Sequence, residues 1–173
     1  MKRNVFAVGL VVVCSVAVLA QAPAAGTKTD PILGTWKLNP EKSNPKPAPG
    51  TVSGLQHELR PDGFIVRNAS AVTAQGNPTF GQTTYKYDGK DYPRYGQDTL
   101  ADFTAKGVKP GTDAYRTVDA YTTEITQKDS AGKVGTKITR VVSKDGKVLT
   151  ITTKGTNAQG QTVNTIAVYD RVK

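Results

Sequence analysis

From about residue 50 onward, apolar and polar residues alternate in short runs that turn dipeptides interrupt again and again. Alternation with a period of two is the signature of a strand whose two faces meet different surroundings. No stretch of a dozen residues carries a helical stripe. Asp62-Gly63, Asp88-Gly89, Ala131-Gly132, Asp145-Gly146 and Gln159-Gly160 mark tight reversals. The pattern predicts strands over roughly 32–38, 52–60, 63–73, 82–88, 97–104, 115–127, 133–143, 147–155 and 162–171. The clearest hairpin runs from Thr136 to Thr153 about Asp145-Gly146, with Leu149 and Ile151 on one face and Val148, Thr150 and Thr152 on the other. The last strand separates into Val163, Thr165, Ala167, Tyr169 and Arg171 against Thr162, Asn164, Ile166, Val168 and Asp170.

Strands joined in series by short turns form a meander, and a long meander must dispose of its two edges. Closure does so. The expected fold is all-β, a single antiparallel up-and-down barrel of roughly eight to ten strands, with a β-sandwich as the alternative. A barrel of that size encloses either its own side chains or one small ligand.

Two segments depart from the alternation. Residues 39–51 hold Pro40, Pro45, Pro47 and Pro49, a density that excludes helix interior and central strand; an extended loop over the surface or across a barrel mouth is expected. At the start, Met1-Lys2-Arg3 precedes an apolar run from Val5 to Ala20, followed by small residues and Pro23. This reads as a secretory signal, cleaved after Ala20 or, as a rival, after Ala22. The run is shorter than the ~20 residues a spanning helix needs. The expected division is a signal peptide over 1–20, a flexible arm over 21–31 and a barrel domain over 32–173, in a periplasmic or secreted protein.

Composition narrows this further. Cys14 is the only cysteine and lies in the signal, so the mature barrel has neither disulfide nor thiol chemistry. The formal charge is +9; without Lys2 and Arg3, 21 basic residues face 14 acidic ones, leaving +7. That excess favours anionic ligands or an anionic envelope surface as partner. The lysines are scattered singly, with no basic run interleaved with aromatics, so no nucleic-acid partner is expected. Nothing in the sequence calls for a partner copy, and a monomer is expected.

Gly34-Thr35-Trp36 at the head of a β meander is similar to the opening of the calycins, the lipocalins and fatty-acid-binding proteins. Leu33–Leu38 resembles the first strand of the latter, and Ala167–Val172 their last. Gly34–Ser43 (GTWKLNPEKS), Tyr87–Pro93 (YDGKDYP) and Arg140–Gly146 (RVVSKDG) resemble a family of exported, uncharacterised bacterial lipocalin-like proteins, over essentially the whole mature chain. The resemblance implies the fold, a lipocalin-like barrel. It departs in two places: the proline-rich loop stands where fatty-acid-binding proteins insert two helices, and Ala167 stands where their carboxylate arginine precedes the tyrosine matched by Tyr169. Arg140 or Arg171 is the candidate substitute.

Candidate chemistry is sparse. His57 is the sole histidine, on the same face as Leu55 and Leu59. With no mature cysteine, only carboxylates remain to build a metal site or a catalytic group, and several of those sit at turns. No cofactor, no metal site and no catalytic residue are expected; a carboxylate-only hydrolase is the residual enzymatic reading. Tyrosine is the more suggestive residue. Tyr85, Tyr87, Tyr121 and Tyr169, together with Arg140, are the candidate ligand-binding set: ring surface plus a few polar groups suits an amphipathic ligand. Tyr85 and Tyr87 are expected on one strand face, and Tyr121 on one face with Thr123 and Ile125. Trp36 and Arg171 are the candidate pair at the closed end. The expected function is an exported lipocalin-like binding protein for a small amphipathic or hydrophobic molecule, anionic if the basic balance extends to the interior. The alternative is a non-enzymatic envelope-associated structural or interaction protein whose barrel is filled by its own side chains.

Overall fold

The computed structural model describes residues 29–96, 106–107, 109–157 and 160–173. The expected signal, most of the arm and the strand expected over 97–104 lie outside the described residues. Ten strands form the fold: β1 (Gly34–Leu38), β2 (Val52–Leu59), β3 (Ile65–Val72), β4 (Pro78–Tyr85), β5 (Asp91–Gly96), β6 (Thr112–Thr117), β7 (Thr122–Lys128), β8 (Val134–Val142), β9 (Val148–Thr156) and β10 (Thr162–Arg171). Each pairs antiparallel with the next, and β10 returns to β1, with Trp36 opposite Arg171. The protein is thus a closed up-and-down barrel, and the sandwich is set aside.

Three boundaries differ from expectation. The strand expected over 115–127 is a hairpin, β6 and β7, turned at Val118–Tyr121. The Asp119 carboxylate accepts the Tyr121 amide at 2.8 Å, a side-chain-capped turn that needs no glycine and so left no dipeptide signal. Tyr121 therefore lies in the turn, not on a strand face with Thr123 and Ile125. β4 begins at Pro78 after a turn at Thr73–Asn77, and stops at Tyr85, leaving Tyr87 beyond the strand. β5 occupies Asp91–Gly96, where no strand was expected.

The lower end of the barrel carries the β2–β3, β4–β5, β6–β7 and β8–β9 turns, the start of β1 and the end of β10. The long β1–β2 loop and the remaining described turns lie at the upper end. The proline-rich loop opens with a single 3-10 turn, Pro40–Lys42, capped by the Asn39 side chain. It then lies against the outside of β10: Asn44 bridges to Ile166, and Ser43 Oγ accepts the Val168 amide at 3.0 Å. Asp30 and Pro31, expected within the flexible arm, contact the barrel, as set out below.

Alternation fills the bore. Leu55, Ile65, Ala69, Tyr85, Tyr115, Ile125, Val142, Leu149 and Tyr169 are buried, and so are His57, Thr83, Asp113, Thr136 and Arg140. The apolar members form two clusters. One is built on Trp36 with Ile32, Leu55, Val142, Leu149 and Tyr169, the other on Tyr85, Tyr115, Ile65 and Ile125. The buried polar residues lie among them, and they give the barrel its character.

Candidate functional site

The lower end is closed by Trp36, Arg171 and the segment that precedes β1. Trp36 is fully buried, and the Arg171 guanidinium sits 4.1 Å from the centre of its ring. Every edge of that guanidinium is engaged. Nη1 donates to the Leu33 carbonyl at 2.6 Å, Nη2 to the Pro31 carbonyl at 2.6 Å and Nε to the Gly146 carbonyl. The indole N–H donates to the Ile32 carbonyl at 2.8 Å, and Ile32 is itself buried. Gly34 is what lets the arginine through. Its φ is +112°, and a Cβ there would lie 2.6 Å from Arg171 Nη1. Glycine alone meets both demands.

The tyrosines expected to line a pocket divide three ways. Tyr87 and Tyr121 border a lower cavity of about 320 Å³ with Ile32, Thr123, Arg140 and Val142. Tyr87 donates to the Asp30 carboxylate at 2.8 Å, and burial, more than the neighbouring Tyr85 and Asp30, pushes its phenol far above the ordinary range. Tyr85 lies deeper. It stacks on Tyr115 with ring centres 3.6 Å apart and planes within 9°, and meets Tyr87 edge to face. Tyr169 is spent on structure, its hydroxyl donating to the Val52 carbonyl at 2.9 Å. Arg140 is inside the bore, 4% exposed, above the Tyr115 ring and within 3.4 Å of the Tyr85 hydroxyl.

Higher up, the register builds a row that sequence reasoning missed. His57 on β2 stands opposite Arg67 on β3, Arg67 opposite Thr83 on β4, and Thr83 opposite Arg94 on β5. All four share the inward parity. Arg67, Thr83 and Arg94 border an upper cavity of about 370 Å³, whose remaining inner wall is made of Val52, Ala69, Ala71, Gly81 and Gly96 among others. The side chains above the row are small, so space is left where a larger set would have filled it. The signal was present in the alternation: Arg67 keeps step with Ile65 and Ala69, and His57 with Leu55.

One carboxylate serves this interior. Asp113 is the only buried acid among the described residues, and its oxygens are taken. Oδ1 accepts from Arg94 at 2.6 Å and from Gln127 at 3.1 Å; Oδ2 accepts from Tyr115 at 3.1 Å. Gln127 in turn accepts from Thr136 at 2.6 Å. Arg67 and Arg140 make no salt bridge among the described residues. Buried polar atoms ordinarily find partners, yet five here have none: both ring nitrogens of His57, Thr83 Oγ1, and the Nε atoms of Arg67 and Arg140. Burial first, then the charges of Arg140 and Arg67, holds His57 well below its usual pKa, so the ring is neutral. Burial, then Arg140, also lowers the pKa of Arg67, though a guanidinium stays protonated throughout the physiological range. Among the described residues, the bore thus carries three guanidiniums against one carboxylate. No three His, Cys, Asp or Glu side chains gather as a metal would need among the described residues.

Fold and site together define a closed antiparallel barrel with a cationic, incompletely satisfied interior. No protein-family model matches the chain, and no curated protein is significantly similar to it.

Proposed function

We propose that this protein is an exported, lipocalin-like binder of a small anionic amphiphile, its charged group directed at Arg67 and Arg140 and its apolar part in the upper cavity. The observation that carries the reading is the surplus of inward-facing cation: Arg140 is buried, and Arg67 is half-buried with a buried, partnerless Nε. An uncompensated charge or donor removed from water is costly, and Arg67 borders a cavity of ligand-pocket dimensions whose wall includes Val52, Ala69 and Ala71. Guanidiniums so placed, with no carboxylate partner among the described residues, make sense where a negative group completes them. Asp113 does not, since Arg94, Gln127 and Tyr115 already use it.

Export rests on the charged start and apolar run of residues 1–20; amino-terminal sequencing from the native host should begin near Gln21 or Pro23. An anionic envelope surface as a second partner has support on the outside of the barrel, where Lys137 and Lys154 stand directly opposite each other on β8 and β9.

A side-chain-filled barrel is the competing reading, favoured by the Tyr85–Tyr115 stack that occupies the middle of the bore. Displacement of a fluorescent dye, or calorimetry, with octanoate and octanol separates the two. The binder should take octanoate about tenfold more tightly than octanol or better. Ala71→Phe, which fills the upper cavity, should abolish both without unfolding the barrel. No binding by any amphiphile across a chain-length series would leave the self-filled barrel.

A further inference from the structure

We infer that the charged group this barrel accepts is a doubly negative oxyanion, of the phosphomonoester kind, seated on Arg67, Arg140, His57 and Thr83. The inference rests on the anionic-amphiphile reading above and adds the charge and chemistry of the head group. Four residues hold all five of the partnerless buried side-chain atoms among the described residues. Three of them, His57, Arg67 and Thr83, are direct neighbours across β2, β3 and β4. His57 and Thr83 are each 1% exposed. The fourth, Arg140, comes from β8 and donates to the hydroxyl of Tyr85 at 3.4 Å, two residues along β4 from Thr83.

Charge balance selects the head group. Among the described residues, Arg67, Arg94 and Arg140 contribute three positive charges to the bore and Asp113 one negative, with His57 neutral. A singly charged carboxylate or alkyl sulfate ester leaves one guanidinium uncompensated; a dianion balances the described charges of the bore. A phosphomonoester is doubly charged above its second pKa of about 6 and presents three strong acceptor oxygens. The site offers matching donors: two guanidiniums, a hydroxyl and an imidazole N–H. The small apolar wall of Ala69, Ala71, Gly81 and Gly96 then receives whatever short chain the phosphate carries.

Calorimetry at pH 8 on the mature protein, with octyl phosphate, octyl sulfate, octanoate and inorganic phosphate, tests this. Octyl phosphate should bind about tenfold or more tightly than octyl sulfate and octanoate, which share its chain but carry one charge. Arg67→Gln should bring octyl phosphate down toward octyl sulfate, whereas Arg67→Lys, which keeps the charge, should retain most of the difference, with circular dichroism confirming an intact barrel. Inorganic phosphate binding as tightly as octyl phosphate would assign the site to the free ion; much weaker binding would assign it to a lipid-borne or alkyl phosphate, and either supports the dianion site. Equal affinity for octyl phosphate, octyl sulfate and octanoate overturns the dianion inference while leaving the amphiphile binder standing. No affinity for any of the four overturns both.

Discussion

Arg171 at the lower end and Arg67 on the wall of the bore are both inward-facing arginines in one barrel, and they are treated in opposite ways. Arg171 lies flat on an indole and spends its donors on three carbonyls. Arg67 has a buried, partnerless Nε, stands next to a neutral histidine, and shares the bore with Arg140, which likewise has no carboxylate partner among the described residues. A satisfied buried cation closes and stiffens a fold; an unsatisfied one costs stability and is kept for something else. The difference separates the end of the barrel that holds the structure together from the wall to which the proposed ligand is assigned.

The largest expected effect lies at the closed end. Trp36→Ala should cost ~3–5 kcal/mol, as for other buried aromatics, read as a lower denaturant midpoint at unchanged slope. Its native fluorescence should be blue-shifted and poorly quenched; red-shifted, easily quenched emission would mean the end is open. Arg171→Met should cost about 2–3 kcal/mol, because it strands the Pro31, Leu33 and Gly146 carbonyls and loses the contact with the indole.

The same substitution in the bore sharpens the contrast by reversing its sign. Arg67→Met, measured on protein stripped of bound amphiphile, should be neutral or stabilising by up to about 1 kcal/mol, since it removes a half-buried charge with no carboxylate partner among the described residues. A loss as large as that of Arg171→Met would erase the distinction between the two arginines.

A smaller effect follows from His57. Its folded pKa lies well below the ordinary 6.5, through burial first and then Arg140 and Arg67. Above pH 6.5 the ring is neutral in both folded and unfolded chains and contributes no slope. As pH falls below that value, the unfolded chain binds a proton that the folded one refuses, so stability drops. Chemical denaturation between pH 7.5 and 5 should show this decline in the wild type, and His57→Gln should flatten it. The smallest effect is on the outer surface. The Lys42–Asp170 pair spans 2.9 Å between half-exposed side chains, and Lys42→Ala should change stability by no more than about 0.5 kcal/mol.

Much of this architecture was legible in the order of residues. The Asp-Gly and Ala-Gly reversals, the period-two runs and the need to dispose of edges lead to a closed meander, and the parity of β8 and β10 puts Arg140, Tyr169 and Arg171 inward. The turn at Asp119 was not legible, because a side-chain carboxylate does there what glycine does elsewhere, and Tyr121 was misplaced as a result. The row of His57, Arg67, Thr83 and Arg94 was legible only by halves. Each strand's inward face can be read from its own alternation, which is a local property of the pleat. Which inward residues become neighbours is decided by register between strands, and which face each other across the bore is decided by closure. Those two long-range choices put Asp113 in the hands of Arg94, Gln127 and Tyr115, and left Arg67 and Arg140 without a carboxylate. The chain's sequence by itself determined a closed barrel with cations on its inner faces; only the tertiary structure decided which of those cations would be satisfied, because a charge is balanced by what lies near it in space.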